Sequence, residues 1–71
     1  MKDVFVFRPN GICDYIYPVK EITNTHAITT GMNIKLSIID SGKSYYGNYY
    51  FSSQEKETQF IKQYYNKRKE L

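Results

Sequence analysis

The sequence predicts a small α+β domain: an antiparallel sheet of three to five strands with one C-terminal helix packed on one face. Three observations carry this. Stretches rich in β-branched and aromatic residues alternate with turn-forming residues. The C-terminal stretch switches to a helical period behind a serine cap. A chain of 71 residues and 8.4 kDa folds to a surface of roughly 4,600 Å², which allows one small domain, residues 1–71.

Asp3 to Arg8 opens the sheet, with Val4, Phe5, Val6 and Phe7 placing apolar side chains on both faces, as a central strand does. Pro9-Asn10-Gly11 then reverses the chain, because proline presets φ while Asn and Gly accept positive φ. The next strand, residues 12–20, alternates Ile12, Asp14, Ile16 and Pro18 against Cys13, Tyr15, Tyr17 and Val19. Pro18 has no amide to donate, which predicts an edge position. Residues 21–30, rich in threonine and poor in large side chains, read as a weak edge strand or an extended loop.

Residues 33–40 are the next expected strand, with Ile34, Leu36 and Ile38 inward. Asp40-Ser41-Gly42-Lys43 reverses the chain, Gly42 taking the left-handed position. Residues 44–51 should return antiparallel to it, with Tyr45, Gly47, Tyr49 and Phe51 on one face and Ser44, Tyr46, Asn48 and Tyr50 on the other. These faces differ in polarity, which predicts a sheet covered on one side only. Ser52-Ser53-Gln54-Glu55 reads as a capping box and opens a helix over about 53–69. Phe60, Ile61 and Tyr64 recur at helical spacing toward the sheet. Glu55 and Glu57 in the first turns, and Lys67, Arg68 and Lys69 in the last, follow the helix dipole.

Composition narrows the function. Hydrophobic residues make up 41% and charged residues 24%, a globular balance, and no apolar run approaches a membrane span. No membrane partner is predicted. The apolar run Val4–Phe7 is too short for a signal peptide, which predicts a cytoplasmic protein. Cys13 stands alone, so neither an internal disulfide nor a zinc cluster can form, and a buried thiol with no part in function is expected. His26 has no nucleophile or metal partner near it in sequence, while Asp14, Glu21 and Asp40 form no spaced motif. The expectation is a non-enzymatic protein with no cofactor and no metal site. Eight Tyr and four Phe supply the core, and a homodimer would add burial.

The tyrosines carry the functional signal. Neighbouring strand residues point to opposite faces, so the pairs Tyr45-Tyr46 and Tyr49-Tyr50 cannot both be buried whole. With Tyr45 and Tyr49 beneath the helix, Tyr46, Asn48 and Tyr50 form an open sheet face, joined by Tyr15 and Tyr17 if their strand is adjacent. Exposed tyrosines bury area at low entropy cost and keep a polar contact, which suits a protein partner. The alternative is a nucleic-acid-binding module that uses Lys43, Lys62, Lys67, Arg68 and Lys69 with tyrosine stacking. Lys43 to Tyr50 resembles the basic-aromatic strand of RNA-recognition modules, but has Ser44 where glycine is expected and no surrounding βαβ unit. Residues 1–60 carry as many acids as bases, so the net charge of +3 sits at the C-terminal end. A neutral body favours protein over polyanion. Ile, Lys, Asn and Tyr, drawn from AT-rich codons, make up 29 of 71 residues. That composition and the short length suit a regulator or inhibitor from a mobile genetic element.

Overall fold

The computed structural model of the chain describes residues 1–11 and 14–69. Cys13, the expected start of the second strand at residue 12, and the side chains of Arg68 and Lys69 lie outside the description. Five strands and a helix follow one another: β1 (Asp3–Phe7), β2 (Tyr15–Ile22), β3 (His26–Thr29), β4 (Asn33–Lys35), β5 (Tyr49–Phe51) and α1 (Gln54–Lys69). The strands form one curled antiparallel sheet in the order β4-β3-β2-β1-β5, and α1 packs on β1 and β5. The α+β class is as expected.

β1 is central, as its two-faced apolar pattern requires. Val4 and Val6 lie opposite Tyr17 and Tyr15 of β2, and Val6 also opposes Tyr50 of β5, so these side chains share one face. Phe5 and Phe7 share the other face with Ile16, Phe51 and Tyr49. On that second face the Phe60 ring of α1 lies 4.7 Å from Tyr49, 5.2 Å from Phe51 and 6.1 Å from Phe7. Tyr64, one turn on, meets Phe7 edge-on at 5.3 Å.

The first face is not open, contrary to the expectation of a one-sided sheet. Residues 33–40 and 44–51 do not pair as a hairpin, because β4 and β5 sit at opposite edges. The chain between them, residues 36–48, must cross the sheet. Its Ile39 is buried with Val4, Val6, Ala27, Ile34 and Tyr50, while Leu36, Ile38 and Tyr45 pack around them. The apolar run that reads as a strand is therefore a covering segment. After Leu36, whose amide still donates across to the Thr25 carbonyl, the segment makes turns: Ile38 donates to the Lys35 carbonyl and Ser41 to that of Ile38.

Two further expectations change with this topology. β2 is an interior strand despite Pro18, since it pairs β1 over Tyr15–Pro18 and β3 from Val19 onward. The Val19 amide donates to the Lys2 carbonyl on the β1 side, so the missing amide of Pro18 falls on the β3 side, before that ladder begins. Residues 26–29 form a full interior strand, β3, whose Ala27 and Thr29 are buried. A register shift between Val19 and Glu21 leaves Val19 and Ile22 opposite Thr29 and Ala27, so the bulge keeps both on the core side.

The helix starts one residue later than the capping box implies. Ser53 is the cap: its Oγ accepts from the Lys56 amide and its carbonyl from the Glu57 amide. Ser52 serves Asp40 instead. Its amide and hydroxyl donate to the Asp40 carboxylate at 2.9 and 2.6 Å, and Lys56 Nζ lies 3.2 Å away. The Asp40 amide also donates to the Tyr50 carbonyl at 2.8 Å. One residue thus ties the crossing segment to both β5 and the start of α1. Partial burial would raise the Asp40 pKa, but the Ser52 bonds and Lys56 outweigh it and hold the value below the ordinary range.

Glu57 is the opposite case. It is 7% exposed, and its Oε2 has no hydrogen-bond partner among the described residues. Burial first, and the nearby Asp14 carboxylate second, raise its pKa. The depressed Asp40 stabilises the fold above about pH 4, and its contribution is lost as pH falls through its folded pKa. The raised Glu57 contributes fully below its ordinary value, and that contribution is lost as pH rises through its folded pKa.

Urea unfolding across pH 3–8 should therefore show greatest stability in mild acid. Glu57→Gln should remove the decline that begins above about pH 4.5, and Asp40→Asn the decline in stronger acid; a wild-type curve that does not fall as pH rises from that point would contradict the Glu57 assignment. Phe60→Ala should cost about 2 to 4 kcal/mol, less than a fully buried phenylalanine because this ring is half-exposed. A cost below about 1 kcal/mol would mean that α1 is not held through Phe60.

Candidate functional site

Where Tyr45 meets Asn48 the chain makes its tightest reversal. Tyr45 and Asn48 exchange amide-to-carbonyl bonds at 2.8 and 3.1 Å, leaving Tyr46 and Gly47 as the two-residue tip. Both have positive φ, 53° and 78°, the pattern of a type I′ turn, which favours Asn or Gly at either position. Gly47 meets that demand. Tyr46 does not, because the left-handed region brings its Cβ against the backbone. Its side chain is nevertheless 79% exposed and touches the Tyr45 ring at a centroid distance of 4.5 Å.

This turn overturns the expected face assignment. A two-residue reversal breaks the strand alternation through residues 44–51, so Tyr45 does not accompany Tyr49 beneath α1. It lies on the crossing-segment side, 6.0 Å from the Tyr50 ring. Tyr50 is not exposed either: at 2% exposure it is the floor of the site rather than its open surface. Its hydroxyl donates to the Tyr45 carbonyl at 3.1 Å and lies 3.9 Å from Met32 Sδ. Burial raises its pKa, Tyr17 and Tyr46 add to the rise, and the Asn48 side chain and the Arg8 guanidinium oppose it. Burial and the adjoining Tyr46 raise that of Tyr45 in the same direction.

Val6 of β1 lies opposite Tyr15 on one edge and Tyr50 on the other, so β2 and β5 place these rings on one face. Tyr17 in turn packs against Tyr15, ring centroids 4.7 Å apart, and β2 presents both on the Val4/Val6 face. The β3–β4 turn supports Tyr17: a Cβ on Gly31 would lie 2.7 Å from the ring, so only glycine fits beside it. Tyr15 and Tyr17 on β2, and Tyr50, Tyr45 and Tyr46 at β5 and its turn, thus form two groups of touching rings on one face of the sheet, with Val4 and Val6 of β1 between them. Tyr15 and Tyr46 are well exposed, Tyr17 and Tyr45 half-buried.

Of the residues expected at the binding face, Tyr15, Tyr17 and Tyr50 lie on the Val4/Val6 side and Tyr46 and Asn48 in the turn beside it, but Tyr50 is buried where exposure was expected. Tyr45 joins them without a signal in the sequence, since its face depends on the turn. The basic residues are placed differently. Lys62 and Lys67 are exposed on α1, which covers the Phe5/Phe7 face, and Lys43 is exposed in the crossing segment. The sheet separates the helix lysines from the tyrosine groups.

The stability of two variants distinguishes the exposed ring from the buried one. Tyr46→Asn should leave stability unchanged or raise it by about 1 kcal/mol, since Asn tolerates the left-handed region. Tyr50→Ser should cost about 3 to 5 kcal/mol. Chemical denaturation checks both. A loss above about 1 kcal/mol in Tyr46→Asn would make that ring structural.

No helix among the described residues is long and apolar enough to cross a membrane. No family model, curated protein or solved structure matches this chain, so the functional reading rests on the tyrosine cluster itself.

Proposed function

We propose that this is a small non-enzymatic binding protein that recognises another protein through the tyrosine groups from Tyr15 to Tyr46, acting in the cytoplasm as a regulator or inhibitor. Tyr46 carries the reading. A large aromatic ring occupies a turn position that disfavours it and stands in solvent, where it adds little to the core. Residues held at such backbone cost cluster at functional sites, where the side chain is needed for contact. Tyrosine suits that use, because its ring buries area with few rotatable bonds and its hydroxyl keeps a polar contact. Partner binding by Tyr46 and Tyr15 also accounts for rings left exposed beside a core that leaves no room for them. The AT-rich codon composition fits a gene carried on a mobile element, where such short regulators would act on host or rival proteins.

Affinity capture from nuclease-treated host lysate, with wild-type and Tyr46→Asn baits of equal stability, tests this. The wild type should retain a protein that Tyr46→Asn recovers at least tenfold less well. Recovery that nuclease abolishes, or that Lys62→Gln with Lys67→Gln reduces while Tyr46→Asn does not, would move the function to nucleic acid and to α1.

A further inference from the structure

The helix covers only part of its side of the sheet. A cylinder about 10 Å wide spans two strands about 4.8 Å apart, and α1 packs on β1 and β5 alone. The same side of β2, β3 and β4 has no cover among the described residues. Strand pairing fixes which side chains lie there. Ile16 and Pro18 of β2 oppose Phe5 and Asp3, Ile28 of β3 lies between Glu21 and Asn33, and Lys35 opposes His26. Ile16 is 50% exposed, Pro18 is exposed, and Phe5 and Ile28 are half-buried.

One flank of α1 extends this surface. Gln59, Phe60 and Gln63 border Asp40 and Gly42 of the crossing segment, at the outer edge of β5. The opposite flank, with Ile61 and Tyr65, therefore looks over β2. Ile61 is half-buried, and Tyr65 is 46% exposed with its ring 6.1 Å from Phe7. Phe5, Ile16, Pro18, Ile28, Ile61 and Tyr65 thus line one open apolar surface. A surplus of area accompanies it. The chain exposes 5213 Å², against roughly 4,600 Å² for a folded monomer of 8.4 kDa. The difference, about 600 Å², is close to the roughly 800 Å² that each partner gives to a stable interface.

We propose that this protein is a two-fold homodimer in which the open strands β2 and β3 of two copies pack face to face beside their helices, with Ile16 at the centre. Area is one reason for a second copy as the occupant. Charge is the other. The border of the apolar surface carries both signs: Asp3 and Glu21 against Lys35, with Lys20 at the bulge, Asp14 ahead of β2 and Lys62 on α1. A two-fold contact puts the same border on both sides, where acids of one copy can meet bases of the other. A strongly acidic or strongly basic partner would meet like charge there. The helix does not block the contact, because a second sheet packs about 10 Å above the first, in the layer that α1 already occupies. The partner's strands lie alongside α1 rather than over it. The tyrosine rings are on the opposite face of the sheet, so the dimer presents both sets, independently of what they bind.

Sedimentation equilibrium of the full chain from about 5 to 300 µM tests this, with urea unfolding at the low end as the check on folding. The wild type should form a dimer within that range and keep it at about 300 mM sodium chloride, since the centre of the contact is apolar. Ile16→Glu, at an exposed position, should weaken the dimer at least tenfold while the monomer stays folded, and Tyr46→Asn should leave it unchanged. A wild type that stays monomeric throughout the range, an undiminished dimer in a folded Ile16→Glu, or a dimer that Tyr46→Asn abolishes would overturn the proposal. A dimer that salt dissolves would also overturn it, in favour of an ionic contact. Should Ile16→Glu unfold, isotope-filtered NOEs between labelled and unlabelled wild-type copies decide instead. Contacts from the Ile16 and Ile28 methyl groups of one copy to the other support the dimer, and contacts confined to the tyrosine face reject it.

Discussion

A strand that is apolar on both faces needs two covering layers, and β1 imposes that requirement on everything else. Val4 and Val6 are buried on one side and Phe7 on the other, while β2 and β5 take up its backbone on either edge. The chain has only one helix to offer, and α1 covers the phenylalanine face. The valine face has to be closed by something else, and residues 36–48 do so as they run from the β4 edge to β5. Leaving those valines in water would forfeit about 1.5 kcal/mol or more for each, a large share of what a chain of 71 residues has in hand.

The crossing segment must then be anchored and turned, and those two tasks create the most unusual features of the molecule. Asp40 does the anchoring: its amide bonds Tyr50 and its carboxylate holds Ser52 and Lys56. This joins the cover of one face to the helix on the other, so the two layers are coupled through a single residue at positive φ. The turn at Tyr46-Gly47 then feeds the chain into β5 within two residues. It sets the Tyr45 ring edge-on to that of Tyr50 and leaves Tyr46 projecting beyond them. The tyrosine cluster is therefore a consequence of closing the valine face, with its exposed rings at the rim of the closure.

The same arrangement sorts the charges. Acidic side chains favour the first turns of α1, and Asp40 is drawn to that helix start by Ser52 and Lys56. Asp3 falls on the helix side of β1 by strand alternation, and Glu21 reaches that side of β2 because the bulge after Val19 shifts the register. Glu57 stands out within this pattern as a buried acid facing another acid, which adds a pH-dependent weakness where α1 meets the sheet.

Local signals in the sequence settled a good deal of this. The two-faced pattern of Val4 to Phe7 determined a central strand, Pro9-Asn10-Gly11 the reversal after it, and the serine cap with Phe60 and Tyr64 the helix and its buried side. These follow from periodicity and turn chemistry, which act over a few residues. Alternation also put Tyr15 and Tyr17 on one face, but it could not place residues 44–51, because the turn at Tyr46-Gly47 breaks it. Tertiary structure decided the rest. Pro18 is tolerated inside the sheet because β2 changes partners there, and Ile34 to Ile39 divides into a short strand and a cover because β4 and β5 ended at opposite edges. Tyr50 became a floor and Tyr46 a tip because the valine face needed closing. No window of sequence contains that demand, since it arises from surfaces contributed by segments far apart in the chain.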